Sequence, residues 1–534
     1  MLSSPDAVLD VSATRPARRE TAVSGSPRLA REAQAGLVGL LLIVLVVATY
    51  WQFVGEYFHG GDTRPHIWTS RVQGPGDVVR ILTTPLLTGT IFPDVVARFY
   101  RPVSSLSYAL DYAVFGMDPL AFHLTDLVIH AVVTVAVCRL VTQAGAPVWA
   151  AGIGAATFAL HPVMVSVVPS LPRRHDSLAA AGLVGSLGLL AWAATHSRPR
   201  WRLVVVAAAV LEIFGAWAKE VGYAEVLLVG PVLVAATLAA GLPLRTSTRR
   251  IVGLVLLCWG VAVVLVLLRV MVLGGIGGYK DAPSPLVNID VAVSDFVQYL
   301  AWPFDSVVPR SPRGWLEVFG LLLLASGLPA LFGTRRQRLA IGLGWVWLLA
   351  FLAFQTGTRS LAPYQMYTAI AGLAFLVAGV ASGSVDLARQ ARRVEHLGAA
   401  LVGLAGLLVI CGGVLRSSAL LTEYGDWHRA GELARQYLAI IRPCLDSMPS
   451  GADVVADRYV GGIVDNTADF VLLQPGILGD YSVGPAVYLT MPEHRDLRIT
   501  ARGAVDLPQY PRAMRAECGQ NSDGTWHVTG VYDV

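Results

Sequence analysis

The chain has 534 residues, of which 54% are hydrophobic and 15% charged, with a formal net charge of +4 and a mean hydropathy of +0.57. This balance excludes an ordinary soluble globule, and repeated apolar runs of about 20 residues read as membrane-spanning helices. The small positive excess sits on arginines grouped in a few short segments, with lysine only at Lys219 and Lys280, so the charge does not call for a nucleic-acid partner.

Residues 1 to 34 are rich in Ser, Ala, Pro and Arg without an apolar period, which reads as a disordered tail. The first span, about Gly36 to Val54, is too long for a signal-peptide core and lacks a small-residue cleavage site after it, so it is expected to stay as an anchor. Arg15, Arg18, Arg19, Arg28 and Arg31 precede it and place the tail in the cytoplasm by the positive-inside rule. From Gly55 to Asp118 the chain then makes a long polar excursion, with Asp62 in HGGDTRPHIW, before the apolar pattern resumes. Further spans are expected at about 119–141, 148–168, 176–195, 202–219, 221–240, 251–273, 315–333, 339–356, 364–382 and 397–415, making 11 transmembrane helices with the first.

Alternate loops test this count. Arg198, Arg200 and Arg202, then Arg245, Arg249 and Arg250, then Arg335, Arg336 and Arg338, then Arg389, Arg392 and Arg393 all fall on the tail's side. The stretch Val291 to Phe304 is too short and polar for a span and reads as an interfacial helix on the outer face. The expected architecture is therefore an all-α polytopic membrane protein: a transmembrane domain over 35–415 with its large first outer loop at 55–118, followed by a small α/β extracytoplasmic domain over 416–534. That last domain carries a helical pattern from Tyr424 to Met448, then short apolar runs such as VYLTM and LRITAR between Pro and Gly. Its Cys444 and Cys518 would meet an oxidising compartment, and spacing leaves open whether they form a bridge or stay as two thiols. No Walker loop, dinucleotide fingerprint or Cys/His zinc spacing occurs in the sequence.

Ionisable residues near the outer ends of spans are then the source of chemistry, because charge at membrane depth is costly unless it lines a cavity or is paired. His123, Asp126 and His130 share one face of the second span, either as interhelical glue or as part of a site. Glu212 and Lys219 share a face of the fifth, with Glu220 following and Glu225 just beyond. His161-Pro162 interrupts the third span, and Arg173, Arg174, His175 and Asp176 crowd the turn into the fourth. Arginine forks suit phosphate oxygens, and this face is the wrong one for charges that merely orient the chain, which favours an anion-binding role over a solvated turn.

YRPVSSLSYALDYAVFG, FHLTDLVIHAV, ALHPV followed by RRHDSLAA, and WAKEVG, in this order and spacing, resemble the C-fold (GT-C) membrane glycosyltransferases of the protein O-mannosyltransferase kind, in particular the subgroup with an added C-terminal region. TRSLAPYQMYTAIAGLA resembles that group's Arg-Tyr-Leu segment before the tenth span, so the likeness covers about 36–380. The resemblance implies transfer of a sugar, mannose by default, from a polyprenyl-phosphate carrier to a glycan or protein acceptor on the outer face, inverting, with an acid of the first outer loop as general base. Asp62 matches that base, although Gly61 precedes it where the family often has a second acid. Asp77 and Asp94 are rival acids in the same excursion; Asp62 is favoured because it lies a few residues past the first span, close to a lipid phosphate.

Arg173, Arg174, Arg101 and Lys219 are expected to hold the donor phosphate, with Asp176, Glu220, His161, Asp126 and His130 in support. A phosphate leaving group needs cationic stabilisation rather than protonation, so neither a metal nor another cofactor is required. After His161-Pro162 the family continues with a second His and a Glu, where this chain has Met164 and Ser166; the carrier-binding half is the better preserved one. Two other functional readings are a flippase of lipid-linked glycans, which calls for inverted repeats and broken midplane helices, and a non-catalytic relative that binds a partner through its outer domain.

Overall fold

The computed structural model describes residues 27–196, 200–280, 289–301, 312–355, 362–390, 394–424, 427–463, 477–507 and 511–533. Helix α1 (Pro27–Tyr50) opens on a proline, whose missing N–H costs nothing in a first turn. It begins inside the stretch expected as a disordered tail, of which residues 1–26 lie outside the described residues. The excursion folds into four short helices, α2 (Thr63–Ser70), α3 (Pro75–Thr83), α4 (Phe92–Val95) and α5 (Pro102–Phe115). The bundle continues with α6 (Pro119–Gln143), α7 (Val148–Leu160), α8 (Arg174–Thr195), α9 (Trp201–Ala218), α10 (Glu225–Ala239) and α11 (Leu244–Leu273). Then follow α12 (Ile289–Ala301), α13 (Pro312–Phe332), α14 (Arg335–Gln355), α15 (Ala371–Arg389) and α16 (Val394–Tyr424).

Among the described residues nine helices are long and apolar enough to cross a membrane, and two shorter apolar helices, Val148–Leu160 and Phe319–Phe332, fall where the remaining expected spans lie. The chain is a multi-pass membrane protein. Two spans end differently from the sequence pattern. The third stops at Leu160, because the residue before a proline avoids the helical region; His161 is extended (φ −60°, ψ 137°) and Pro162–Ser166 form a 3-10 turn. The tenth starts at Ala371 rather than at 364, after a 3-10 turn over Pro363–Met366, and runs on to Arg389.

Close packing of α8 on α9 sets up one end of the bundle. A Cβ on Gly182 would lie 2.5 Å from Gly215 Cα, so the two backbones meet where no side chain intervenes. The hairpin thereby carries the start of α8 to the end of α9. Helix α5 ties the excursion to this end: Ser104 Oγ donates to Ala218 O at 2.9 Å and Tyr108 Oη to Leu171 O at 2.5 Å. A two-stranded antiparallel ladder of β1 (Ala97–Arg98) and β2 (Gly278–Tyr279) closes the side.

The boundary expected at 416 falls inside α16, a single helix that runs on to Tyr424 and leads into α17 (Trp427–Asp446). The C-terminal domain adds β3 (Asp453–Asp457), β4 (Val460–Ile463), α18 (Val483–Thr490), β5 (Arg498–Arg502), β6 (Val505–Leu507), β7 (Ala513–Gln520) and β8 (Trp526–Asp533). Its main sheet has the order β5-β3-β8-β7, with β3 parallel to both neighbours and β7 antiparallel to β8; β4 and β6 form a second, parallel pair. The α/β expectation holds in its mixture of elements, and the run VYLTM lies largely in α18. Leu433, Tyr437 and Ile441 of α17 are buried in this domain's core, and a Cys444–Cys518 disulfide fastens α17 to β7.

Candidate active site

Helix α8 begins with two adjacent arginines whose side chains do different things. Arg174 is fully buried: Nε donates to Asp126 Oδ1 at 2.5 Å, Nη1 to Asp111 Oδ2 at 2.6 Å and Nη2 to Phe122 O at 2.9 Å, and its guanidinium lies 4.7 Å from the Tyr108 ring centroid. The expectation that Arg174 holds a donor phosphate is corrected by this packing, since its charge is already met by two carboxylates and its fork is turned into the protein. Asp126 belongs to that anchor. Asp111, within the YALDYA stretch, is the partner that sequence reading missed.

Arg173 points elsewhere. Its side chain is 27% exposed, its Nη1 lies 3.9 Å from Asp62 Oδ2 and its guanidinium sits 3.8 Å from the Tyr364 ring centroid. Lys219 Nζ lies 4.9 Å from the same ring and donates to Asp176 Oδ1 at 2.5 Å. Lys219 therefore pairs across the α8–α9 hairpin rather than with Glu212 on its own helix or with Glu220 beside it. Glu220 instead takes Arg101 (Nη2 to Oε2, 2.6 Å) and Arg269 (Nη1 to Oε1, 2.9 Å). Burial pulls the Arg101 guanidinium down, but the Glu220 carboxylate outweighs it and holds Arg101 above the ordinary arginine value. Arg101 also lies 3.4 Å, Nη1 to Nε2, from His175, whose Nε2 is 3.3 Å from Asp176 Oδ2.

The result is one connected constellation. Arg101, Arg173, Lys219 and Arg269 face Asp62, Asp176 and Glu220, leaving the cations one ahead, and Tyr364 supplies an electron-rich face to two of them. Such a cluster can take up one more negative charge. Arg269 and Tyr364 were not singled out in the sequence; the first sits near the end of an apolar span, and the second in the PYQMY stretch of the Arg-Tyr-Leu-like segment, whose residues 358–361 lie outside the described residues.

Asp62 immediately precedes α2 without a capping hydrogen bond from its side chain, a quarter of which is exposed. Its Oδ1 accepts a hydrogen bond from the Tyr481 hydroxyl of the C-terminal domain. His66, one turn along α2, stacks on Tyr108 at 5.1 Å; burial pulls its imidazole down to about 4, so it is neutral at pH 7. The rival acids lie apart. Asp77 accepts from Gln73 N and Gly74 N at the start of α3, and Asp94 is exposed near Arg98.

The remaining expected site residues are not in the constellation. His130 Nδ1 lies 2.7 Å from Tyr367 Oη and its ring stands edge-on to Tyr50, inside the bundle. His161 uses Nδ1 to accept from Val163 N at 3.3 Å, closing the turn that ends α7. Both join elements rather than face Asp62. Two groups among the described residues have metal-ligand spacing, Glu212 with Glu225 and Cys258, and Asp446 with Glu493 and His494; neither includes Asp62 or the cationic cluster.

No protein-family model matches the chain. Among curated proteins, 146 residues (26% of this chain) are 29% identical to the protein O-mannosyl-transferase TMTC3 of Mus musculus, and 156 residues (29% of this chain) are 29% identical to the protein O-mannosyl-transferase Tmtc1 of Drosophila melanogaster. The matched stretches span 15% and 18% of those two relatives. Among solved structures, ArnT from Cupriavidus metallidurans bound to undecaprenyl phosphate aligns at a TM-score of 0.45 and 12% identity, over 86% of this chain and 89% of that one. The Archaeoglobus fulgidus oligosaccharyltransferase in complex with Zn and sulfate aligns at 0.44 and 12%, over 78% and 60%. Over a little more than a quarter of its length, then, the chain is similar to protein O-mannosyl-transferases.

Proposed function

We propose that this protein is a glycosyltransferase that moves a sugar, mannose by default, from a polyprenyl-phosphate carrier to an acceptor hydroxyl on the outer face of the membrane, with inversion. The observation that carries the reading is Asp62 beside Arg173, at the edge of a cluster with one unbalanced positive charge. A carboxylate beside an anion-binding patch is what this displacement needs. The local sequence likeness to protein O-mannosyl-transferases supports the same class.

In the proposed reaction the acceptor oxygen attacks the anomeric carbon while Asp62 takes the hydroxyl proton, and the carbon–oxygen bond to phosphate breaks on the opposite face. The electron pair leaves with the polyprenyl phosphate, whose charge Arg173, Lys219 and Arg101 receive, with Arg269 added to the expected set. Such preorganised cations stabilise developing charge without a proton transfer, so the proposal needs no metal and no further cofactor. Asp176 and Glu220 hold Lys219 and Arg101 in place. The N-terminus is assigned to the cytoplasm and the C-terminal domain to the outside, in keeping with the loop arginines.

The test is transfer of labelled mannose from polyprenyl-phosphate mannose in membranes that contain the protein. Asp62→Asn should lower the rate by about a hundred- to ten-thousand-fold, the usual worth of a general base. A variant as active as the wild type removes Asp62 from the mechanism, and absence of transfer from any polyprenyl-phosphate sugar removes the class.

A further inference from the structure

The C-terminal domain reaches into the candidate site. Tyr481 donates its hydroxyl to Asp62 Oδ1, while Arg173 stands 3.9 Å from Oδ2, so each oxygen of the carboxylate already has a partner. The tyrosine is held in place from its own side. Its ring is edge-on to Phe92 at 5.1 Å, and its turn is braced by Ser482, whose N donates to Gly479 O at 2.8 Å and whose Oγ accepts from Gly479 N at 2.6 Å. The loop before Asp62 fits against this turn: a Cβ on Gly61 would lie 3.4 Å from Gly479 N. Beside it, Trp68 meets Tyr488 at 5.0 Å, so α18 packs along α2 and carries the turn with it. Burial, followed by the Asp62 carboxylate, pushes the phenol above its ordinary value, so it remains a proton donor across the physiological range.

A phenol and an alcohol are the same kind of partner to a carboxylate. The hydroxyl that Asp62 is proposed to deprotonate must donate its hydrogen bond to that carboxylate, and Tyr481 now makes that bond. We propose that Tyr481 is a positioning residue for the transfer reaction: it holds the acceptor's hydrogen-bonding place on Asp62 until an acceptor hydroxyl exchanges with it. The 477–482 turn is then the acceptor-facing element of the site. This inference rests on the reading of Asp62 as general base.

The test uses the full chain and the donor alone, with water as acceptor. Water attacks the anomeric carbon, its proton passes to Asp62, the bond to phosphate breaks, and polyprenyl phosphate leaves with the electron pair as mannose is released. Tyr481→Phe keeps the ring against Phe92 and removes the hydroxyl, so it should raise hydrolysis of polyprenyl-phosphate mannose by roughly tenfold, the worth of a hydrogen bond to a charged group. The gain should appear in kcat, with KM for the donor unchanged, because the phenol occupies the acceptor's place and not the donor's. A purely structural tyrosine would not raise kcat. Unchanged hydrolysis overturns the inference, and so does complete loss of turnover in folded Tyr481→Phe protein, which would make the phenol indispensable to the chemistry.

A second variant does not depend on that side chain. With Gly61→Cys and Gly479→Cys joined by oxidation, the turn cannot withdraw, and hydrolysis should fall by roughly tenfold or more and recover on reduction, against wild type treated alike. Equal rates in the oxidised and reduced forms overturn the proposal. Asp62→Asn separates the two levels: if it hydrolyses donor at the wild-type rate, the base assignment fails and the inference fails with it. If Asp62→Asn is inactive while both tyrosine-side variants behave as wild type, the inference fails alone.

Discussion

Replacing each of the two arginines at the start of α8 by methionine should damage different properties. Arg174 has no side-chain exposure and binds two carboxylates that are themselves 6% and 3% exposed. Deleting it leaves Asp111 and Asp126 buried without their cation, and breaking a buried pair from one side costs about 3–5 kcal/mol. Arg173→Met removes a pair 3.9 Å apart at a site about a quarter exposed, worth about 0–1 kcal/mol to the fold. On the proposed mechanism, however, Arg173 meets the leaving phosphate, and losing one such donor slows turnover by about a hundred- to a thousand-fold. The assay is paired: thermal stability of detergent-purified protein, followed by the fraction that stays monodisperse after heating, and initial rate of mannose transfer. Arg174→Met should lose its monodisperse fraction at clearly lower temperature, and Arg174→Lys should not rescue it, because an ammonium cannot bridge both carboxylates with the planar fork. Arg173→Met should heat like the wild type and transfer far more slowly. The reverse pattern, a stable Arg174→Met beside an unstable Arg173→Met, would refute this division.

Three further outcomes are expected. Burial pushes the Glu56 carboxyl, just beyond the first span, up to about 8, so the folded protein keeps a proton there that the unfolded chain releases at lower pH; stability should fall as pH rises toward 8 and level off above it, and Glu56→Gln should remove that slope from melting temperatures measured between pH 5 and 9. The Cys444–Cys518 bridge closes 74 residues, so Cys444→Ser with Cys518→Ser should cost the C-terminal domain up to about 4 kcal/mol on the chain-entropy estimate, seen as faster proteolysis after Asp446 while the membrane bundle stays intact. Glu220→Gln frees Arg101 and Arg269 from their shared carboxylate and should strengthen binding of polyprenyl phosphate while slowing its release, read as tighter product inhibition.

The bundle was legible because its signal is local. A stretch of apolar residues and the arginines that flank it declare a span regardless of what packs around it, and the spans expected at 202–219 and 221–240 coincide closely with α9 and with the segment Glu220–Ala239. Its ends were less so, since they depend on backbone rules that act over a few residues, as when Pro162 stops α7 at Leu160. Pairing inside the site was not legible at all. Lys219 beside Glu220 in sequence reads as a pair, yet Lys219 is extended (φ −160°, ψ 154°) just past the end of α9 and Glu220 opens a 3-10 turn, and the hairpin brings Asp176 to one while Arg101 and Arg269 come to the other. Adjacency in sequence is a poor guide to partnership where a helix ends.

The same reasoning explains why the acceptor side resisted reading. Residues that meet an anion must be cationic, and in a chain with so few charges outside its loops the candidates stand out: Arg101, Arg173 and Lys219, named from the sequence, come together in one cluster, while Arg174, grouped with them, is turned into the protein. Residues that meet a hydroxyl need only offer a lone pair or a donor, which tyrosine, serine and the backbone all do. Tyr481 lies 419 residues beyond Asp62, in a segment with no pattern of its own, and only folding of the C-terminal domain onto the excursion brings them together. On the proposed mechanism the polar excursion after the first span supplies half of the acceptor wall, and the 477–482 turn supplies the other half. Any variant that loosens α18 from α2 should therefore alter transfer without touching a single charge in the cluster.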